Sequence, residues 1–240
     1  VGQGRMMEPE EIVQHLTSHT FRGSSFAGKK IVITAGPTVE LIDPVRYISN
    51  FSTGKMGLSL AEAYYLQGAD VTLIAGPLQV STRLQGIKVV DVRSAAEMEA
   101  ACLAHFTSAD LLIMAAAVAD YRPAVQAVEK IKKSEATTSV VLEKTIDILA
   151  ALGAVKKPHQ ILVGFALETE NEEVNALAKM KTKKTDFIVL NSLKDAGAGF
   201  GVDSNQVTVF AASGEKKLIP LQSKEAVASE IIDFVSRGML

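Results

Sequence analysis

Several stretches of this sequence hold residue types that could do chemistry at workable spacing. In Ala35-Gly36-Pro37-Thr38, in Asp43-Pro44-Val45-Arg46-Tyr47-Ile48-Ser49-Asn50, and in Phe51-Ser52-Thr53-Gly54-Lys55-Met56-Gly57, hydroxyls and glycines stand directly before a helical pattern. Backbone N–H groups at such a turn and helix start form a nest that suits an anion, phosphate above all. The same residues would also serve a plain helix cap. In Ala115-Ala116-Ala117-Val118-Ala119-Asp120, small residues would let a ligand lie against the backbone. Asp120 then stands at the mouth of a pocket, or merely forms a turn. The run Glu129-Lys130-Ile131-Lys132-Lys133-Ser134 reads as a basic flap over phosphates, or as a solvated loop. Lys179 and Lys183 share one helix face and could reach a nucleotide. Their place near a helix C-terminus, with Glu170, Glu172 and Glu173 near its start, equally suits the helix dipole.

Other chemistries lack their residues. Gly54-Lys55 is followed by Met56 rather than Ser or Thr, so this is not a Walker A loop, and no G-x-G-x-x-G follows the first strand. None of Tyr47, Tyr64, Tyr65 and Tyr121 has a lysine four residues later, which leaves short-chain-dehydrogenase catalysis unsupported. His15 and His19 are four apart but have no third ligand nearby, so no zinc or other metal site is expected. The single cysteine, Cys102, sits among Ala100, Ala101 and Leu103 and reads as a core residue in a reducing, cytoplasmic protein.

The elements that must position these loops follow from patterning. Short runs at 31–34, 71–74, 88–91, 111–114, 161–165 and 187–190, most of them continuously apolar, read as strands buried on both faces of a parallel sheet. Helical patterns at about 56–67, 94–105, 146–153 and 171–184 lie between them, and another precedes them up to His19. Ser94-Ala95-Ala96-Glu97 has capping-box spacing, and Gly68 stands where a helix-ending glycine belongs. Residues 206–210 and 216–219 read as a hairpin, followed by a helix over about 222–236. The alternation predicts an α/β, Rossmann-like, doubly wound and mainly parallel sheet with a C-terminal β-hairpin that could serve as a dimerisation arm. In such sheets ligands bind beyond the carboxyl ends of the strands, where these loops fall. The chain has 240 residues and a net charge of −2, which argues against a duplex nucleic-acid binder. No apolar stretch approaches a membrane span.

Taken together, these loops, from Ile33-Thr34-Ala35-Gly36-Pro37-Thr38 to Lys130-Ile131-Lys132-Lys133, closely resemble those of phosphopantothenate–cysteine ligase. The resemblance runs from about Lys29 to the end. It implies a domain over 29–240, with 1–28 a linker and remnant of a preceding flavin-dependent decarboxylase; Val1 to Arg5 lack an initiator methionine, as in a chain cut from something longer. No flavin is expected in this domain.

The resemblance further implies that CTP, with Mg²⁺, activates the carboxylate of 4′-phosphopantothenate as an acyl-cytidylate. L-cysteine then displaces CMP, in a homodimer. Asn50, Lys130 and Arg46 match catalytic positions. Met114, Ala115, Ala116, Asp120, Lys130, Ile146, Asp147, Ile148, Leu149, Phe165, Lys179 and Lys183 match nucleotide contacts. Gly36, Asn50, Ser52, Gly54, Gly57, Ala116, Ala117 and Asn191 match phosphopantothenate contacts, Asn191 from across the dimer. The sequence departs from the family pattern at Lys144-Thr145-Ile146-Asp147, Leu190-Asn191-Ser192 and Ser52-Thr53-Gly54. A nicotinamide-dependent oxidoreductase and a catalytically silent nucleotide sensor are the competing readings.

Overall fold

The computed structural model describes residue 4 and residues 6–20, 22–80, 82, 84–132, 139–168, 170–192 and 201–239. Lys133 and Ser134, part of the expected flap, and Arg5 lie outside the described residues. A peripheral helix, α1 (Pro9–His19), precedes β1 (Lys30–Ala35), a short hairpin of β2 (Val39–Leu41) and β3 (Tyr47–Ser49), and α2 (Lys55–Leu66). Next come β4 (Asp70–Ala75), β5 (Lys88–Asp91), α3 (Ala95–Phe106) and β6 (Leu111–Met114). A second short hairpin, β7 (Tyr121–Pro123) and β8 (Leu142–Lys144), leads to α4 (Ile148–Val155), β9 (Ile161–Glu168), α5 (Glu172–Thr182) and β10 (Phe187–Ser192). Two antiparallel strands, β11 (Ser204–Ala211) and β12 (Lys216–Ser223), and α6 (Lys224–Val235) close the domain.

The main sheet has the order β12-β11-β10-β9-β6-β1-β4-β5. From β5 to β10 every pairing is parallel. Counted along the chain, those strands run 3-2-1-4-5-6, the Rossmann order, with the direction of winding reversing between β1 and β6. The β1 run Lys-Ile-Val-Ile-Thr-Ala is buried over its last five residues. Ile31 and Ile33 face a core built with α2 and α6, while Val32 faces a second core with Met98, Cys102 and Leu152 of α3 and α4. Both faces are covered, which is why the strand is not alternating.

The parallel strands, the C-terminal hairpin and the long helices lie where patterning placed them, with small shifts. Asp147 adopts an extended conformation as N-cap and accepts the Ala150 N–H, so α4 starts at Ile148 rather than at 146. Ser94 caps α3 through the Glu97 N–H at 3.2 Å, and the Glu97 carboxylate returns to the Arg93 N–H at 2.6 Å, one residue before the cap. The four strands of the two short hairpins were not expected. Each is three residues long and carries no periodic signal. Within the expected 1–28 linker and remnant, Arg22 is docked: its guanidinium donates to the carbonyls of Tyr65, Gly68 and Ala69 and lies over the Tyr65 ring. Phe26 packs edge-on against Tyr64 in the core.

Candidate active site

The loops after β1 and β6 meet at the switch point and are tied together by backbone. Ala117 N–H donates to the Gly36 carbonyl at 2.9 Å, and Thr38 N–H to the Ala117 carbonyl at 3.3 Å. Two buried threonines complete the tie: Thr34 Oγ1 accepts from Ala116 N–H at 3.0 Å and Thr38 Oγ1 from Ala119 N–H at 2.9 Å. Asn50 joins the same seam, its Nδ2 donating to the carbonyls of Ala117 at 3.2 Å and Val118 at 3.0 Å. Both amide hydrogens are thus directed at the small-residue loop, and the amide oxygen is the group turned away from it.

The 52–57 loop delivers the chain into α2. Gly54, the N-cap, sits at φ 82° and offers no side-chain cap. A Cβ there would lie 2.2 Å from Leu78 Cδ2. A Cβ on Gly57 would lie 2.7 Å from both the Thr34 carbonyl oxygen and Ala35 Cβ, so the first turn of α2 can rest on β1 only because that side chain is missing. The first described intrahelical bond is Leu58 N–H to Gly54 O, which leaves the earlier N–H groups directed outward. They open onto a small cleft whose walls include Ser52, Gly54, Gly57, Ala115, Phe165 and Asn191. Ser52, Gly54, Gly57 and Asn191 are expected phosphopantothenate contacts and Ala115 and Phe165 expected nucleotide contacts, and all six line this cleft within one chain.

On the nucleotide side the expected residues fall into two kinds. Met114, Ile148 and Leu149 are buried in the core, so only their backbone can meet a ligand. Met114 Sδ is 3.8 Å from Thr34 Oγ1 and 4.0 Å from Cys102 Sγ. Asp120 is exposed, and its carbonyl accepts the Thr145 N–H at 2.9 Å, which ties the β6 loop to the approach to α4. Lys183 pairs with Asp147 at 3.0 Å, and Lys179 pairs with Glu168 at the end of β9. Lys183 therefore borders the α4 N-terminus and Lys179 the end of β9, but each already has a carboxylate. The exposed Ile146 side chain flanks them.

Arg46 and Lys130 are connected through the flap. Asp43, fully buried, accepts from the N–H groups of Val45 and Arg46 at 2.8 Å each and from the Ile131 N–H at 3.1 Å. The Arg46 guanidinium grips the same carboxylate and also donates to the Ile131 carbonyl at 2.9 Å. That guanidinium, with the backbone donors, holds the Asp43 carboxyl well below the usual carboxylate range against the opposing effect of burial. Arg46 is thus a clamp on the residue after Lys130. Lys130 itself is exposed, and its ammonium has no partner among the described residues.

Sequence reasoning gave no role to Asp43, Lys55, Lys224 or Asn205. Asp43-Pro44 carries the Asx-turn signal that could have marked the first. Lys55 stands inside the 51–57 loop already singled out, whereas nothing local marks Lys224 or Asn205, which reach the cleft through the fold. A larger cleft of about 490 Å³, lined by residues such as Leu73, Leu78, Val80, Val89 and Asp91, lies beyond β4 and β5 and contains none of the expected site residues.

The sequence pattern of the DNA/pantothenate metabolism flavoprotein C-terminal domain matches residues 26–239. The chain belongs to this family. Among similar members of the flavoprotein C-terminal domain family is the coenzyme A biosynthesis bifunctional protein CoaBC of Bacillus subtilis, 45% identical over 98% of this chain and 58% of its own length. A cysteine/cysteine sulfinic acid decarboxylase from an unknown prokaryote is 48% identical over 96% of this chain and 66% of its own length. The chain thus spans about three fifths to two thirds of these curated relatives. The crystal structure of the C-terminal domain of a CoaBC protein superposes with a TM-score of 0.77 at 39% identity, covering 90% of this chain and 98% of that one. No helix among the described residues is long and apolar enough to cross a membrane.

Proposed function

We propose that this domain ligates 4′-phosphopantothenate to L-cysteine with CTP, as a cytoplasmic enzyme of coenzyme A biosynthesis. Residues 29–240 form the ligase domain. Residues 1–28 are the linker and end of a preceding flavin-dependent decarboxylase, and the domain works as a homodimer. The observation that carries this reading is the cleft at the uncapped start of α2, where Ser52, Gly54, Gly57 and Asn191 meet beside the β1–β6 switch point. Outward N–H groups there suit the substrate's terminal phosphate. CTP lies along the other side, from Ala115, Ala116 and Asp120 to the α4 start, Phe165, Lys179 and Lys183.

In the first step an oxygen of the substrate carboxylate attacks the α-phosphorus of CTP and pyrophosphate leaves. Lys130, brought in on the flap that Arg46 and Asp43 hold, offsets the charge gathered at that phosphorus. In the second step the cysteine amine attacks the acyl carbon, the amide forms, CMP leaves, and the amine gives up a proton. Asn50, anchored through its amide hydrogens to the Ala117 and Val118 carbonyls, holds the acyl-cytidylate beside that backbone without itself titrating. Magnesium is expected to arrive with the triphosphate. Among the described residues no group of three or more His, Cys, Asp or Glu is placed to hold a metal, and no step is routed through one.

The test is direct. With CTP, phosphopantothenate, cysteine and Mg²⁺, the protein should release pyrophosphate and form the amide. A folded dimer that binds CTP and yields neither product would make the domain a nucleotide sensor instead.

A further inference from the structure

The cleft at the start of α2 holds two ammonium groups that no step above uses. Lys224, the first residue of α6, and Lys55, the first residue of α2, both line it, and among the described residues no aspartate or glutamate does. Lys224 is only 5% exposed, and its Nζ donates to the Val202 carbonyl. Lys55 is half-buried and reaches out to Asp203, whose side chain is largely exposed. Two like charges that line one cleft from two different helices repel each other, and burial of an ammonium adds a desolvation cost. Burial and the nearness of Lys55 push the Lys224 ammonium below the ordinary lysine value, with Asp203 and Glu225 opposing. A dianion entering the cleft relieves both costs at once.

Resting on the ligase reading, we propose that Lys224, from the start of α6, and Lys55, from the start of α2, add cationic charge to the seat for the substrate's phosphomonoester, beside the N–H groups of the α2 start. Lys224 is held in place by burial and by its bond to the Val202 carbonyl. Lys55 exchanges the exposed Asp203 carboxylate for the phosphate. The two lysines would therefore set selectivity for phosphopantothenate over pantothenate, and leave recognition of CTP and cysteine alone.

The experiment compares the wild-type chain with Lys224→Met, Lys224→Arg and Lys55→Met. A charge-assisted contact of this kind predicts a rise in KM for phosphopantothenate of roughly 10- to 100-fold in Lys224→Met. The KM values for CTP and cysteine should stay within about twofold, and Lys224→Arg should recover much of the loss. Lys55→Met, at a half-exposed position, should raise the same KM by about 3- to 10-fold. It keeps the proposal testable should Lys224→Met fold poorly. In parallel, binding of inorganic phosphate is followed by calorimetry: wild type binds it and Lys224→Met does not. An unchanged KM and unchanged phosphate binding in both folded methionine variants would overturn the proposal. If the wild type binds phosphate through Lys224 but makes no amide, the ligase reading fails while the anion seat stands.

Discussion

The two sides of the candidate site are built in opposite ways. On the α2 side, the 52–57 loop and the first turn of α2 are pressed onto β1, with Gly57 against the Thr34 carbonyl and the 36–38 and 115–119 loops cross-bonded by backbone and by Thr34 and Thr38. On the flap side, Lys130 rides between β7 and β8, whose ladder is three residues long. Val125, Val128 and Val141 there are largely exposed. The flap's described ties to the body are few: Ala127 N–H to the Ile42 carbonyl, and the Asp43–Arg46 clamp on Ile131. The difference is physical. A phosphate that is bound and released unchanged is best met by dipoles fixed in advance, whereas charge that develops during reaction can be met by a group that arrives with the substrate. The cradle should therefore tolerate no change of shape, and the flap no change of charge.

The sharpest way to break that contrast is Lys130→Gln, paired with Asn50→Asp. Because Lys130 is exposed and its ammonium lacks a described partner, the glutamine variant should keep the wild-type melting temperature. Its pyrophosphate release should nevertheless fall by about 10²- to 10³-fold. Asn50→Asp should still release pyrophosphate but let acyl-cytidylate accumulate. The new carboxylate cannot donate to the Ala117 and Val118 carbonyls that Asn50 now serves. Quenched-flow separation of the half-reactions checks both, and full activity in either variant would remove that residue from its assigned step.

On the cradle side, Gly57→Ala changes shape without charge. Alanine gains about 1 kcal/mol in helix propensity, but its Cβ would sit 2.7 Å from a strand carbonyl that cannot move freely. Overpacking of this kind costs about 1–3 kcal/mol, so the net effect should be a lower melting temperature. KM for phosphopantothenate should rise by on the order of tenfold as α2 shifts from β1. A stable variant with normal KM would mean that the cradle is more yielding than the flap.

How much of this was legible in the sequence divides along the same line. The parallel strands announce themselves because burial on both faces demands unbroken apolar runs such as Leu111-Leu112-Ile113-Met114. The start of α2 shows because glycines at 54 and 57 answer a local backbone demand. The flap's position was marked by its lysines, but its hairpin was not, since β7 and β8 are exposed and too short for periodicity. Whether a matched residue works by side chain or backbone was also hidden: Met114, Ile148 and Leu149 are core residues, and only the packed structure shows that. Lys224 and Asn205 lie more than a hundred residues from the loop they face, and no local pattern records that meeting.

A smaller effect is expected where the two regions join. Asp43→Asn keeps the shape of the clamp and removes its charge. The flap should sit less securely, with kcat reduced by roughly tenfold and KM for phosphopantothenate little changed. The pH dependence has a definite sign. The folded protein holds Asp43 below its ordinary value, so its contribution to stability is complete above the unfolded carboxylate value, about 3.9, and is lost as pH falls below that. The melting temperatures of wild type and Asp43→Asn should differ most above about pH 5 and converge on acidification below about pH 4. A gap that stays constant down to pH 2 would show that the clamp works by shape alone.

The smallest effect on activity should come from Cys102, which lies directly beneath the site. Its sulfur is 4.0 Å from Met114 Sδ, and Met114 leads straight into the Ala115–Asp120 loop. Burial, with the Glu99 carboxylate adding to it, pushes the thiol up to about 12. At pH 8 almost none of it is thiolate, whereas an unfolded cysteine near 8.5 is about a quarter ionised. Alkylation by iodoacetamide should therefore be at least roughly a thousandfold slower in the folded protein than in urea. Cys102→Ala opens a space no larger than a sulfur atom under a loop held by backbone bonds rather than by this side chain. Its kcat and both substrate KM values should match wild type within about twofold, with stability lower by about 1 kcal/mol. If that substitution instead impaired phosphopantothenate binding, the rigidity of the cradle would depend on the packing beneath β6 as well as on the cross-bonds between its loops.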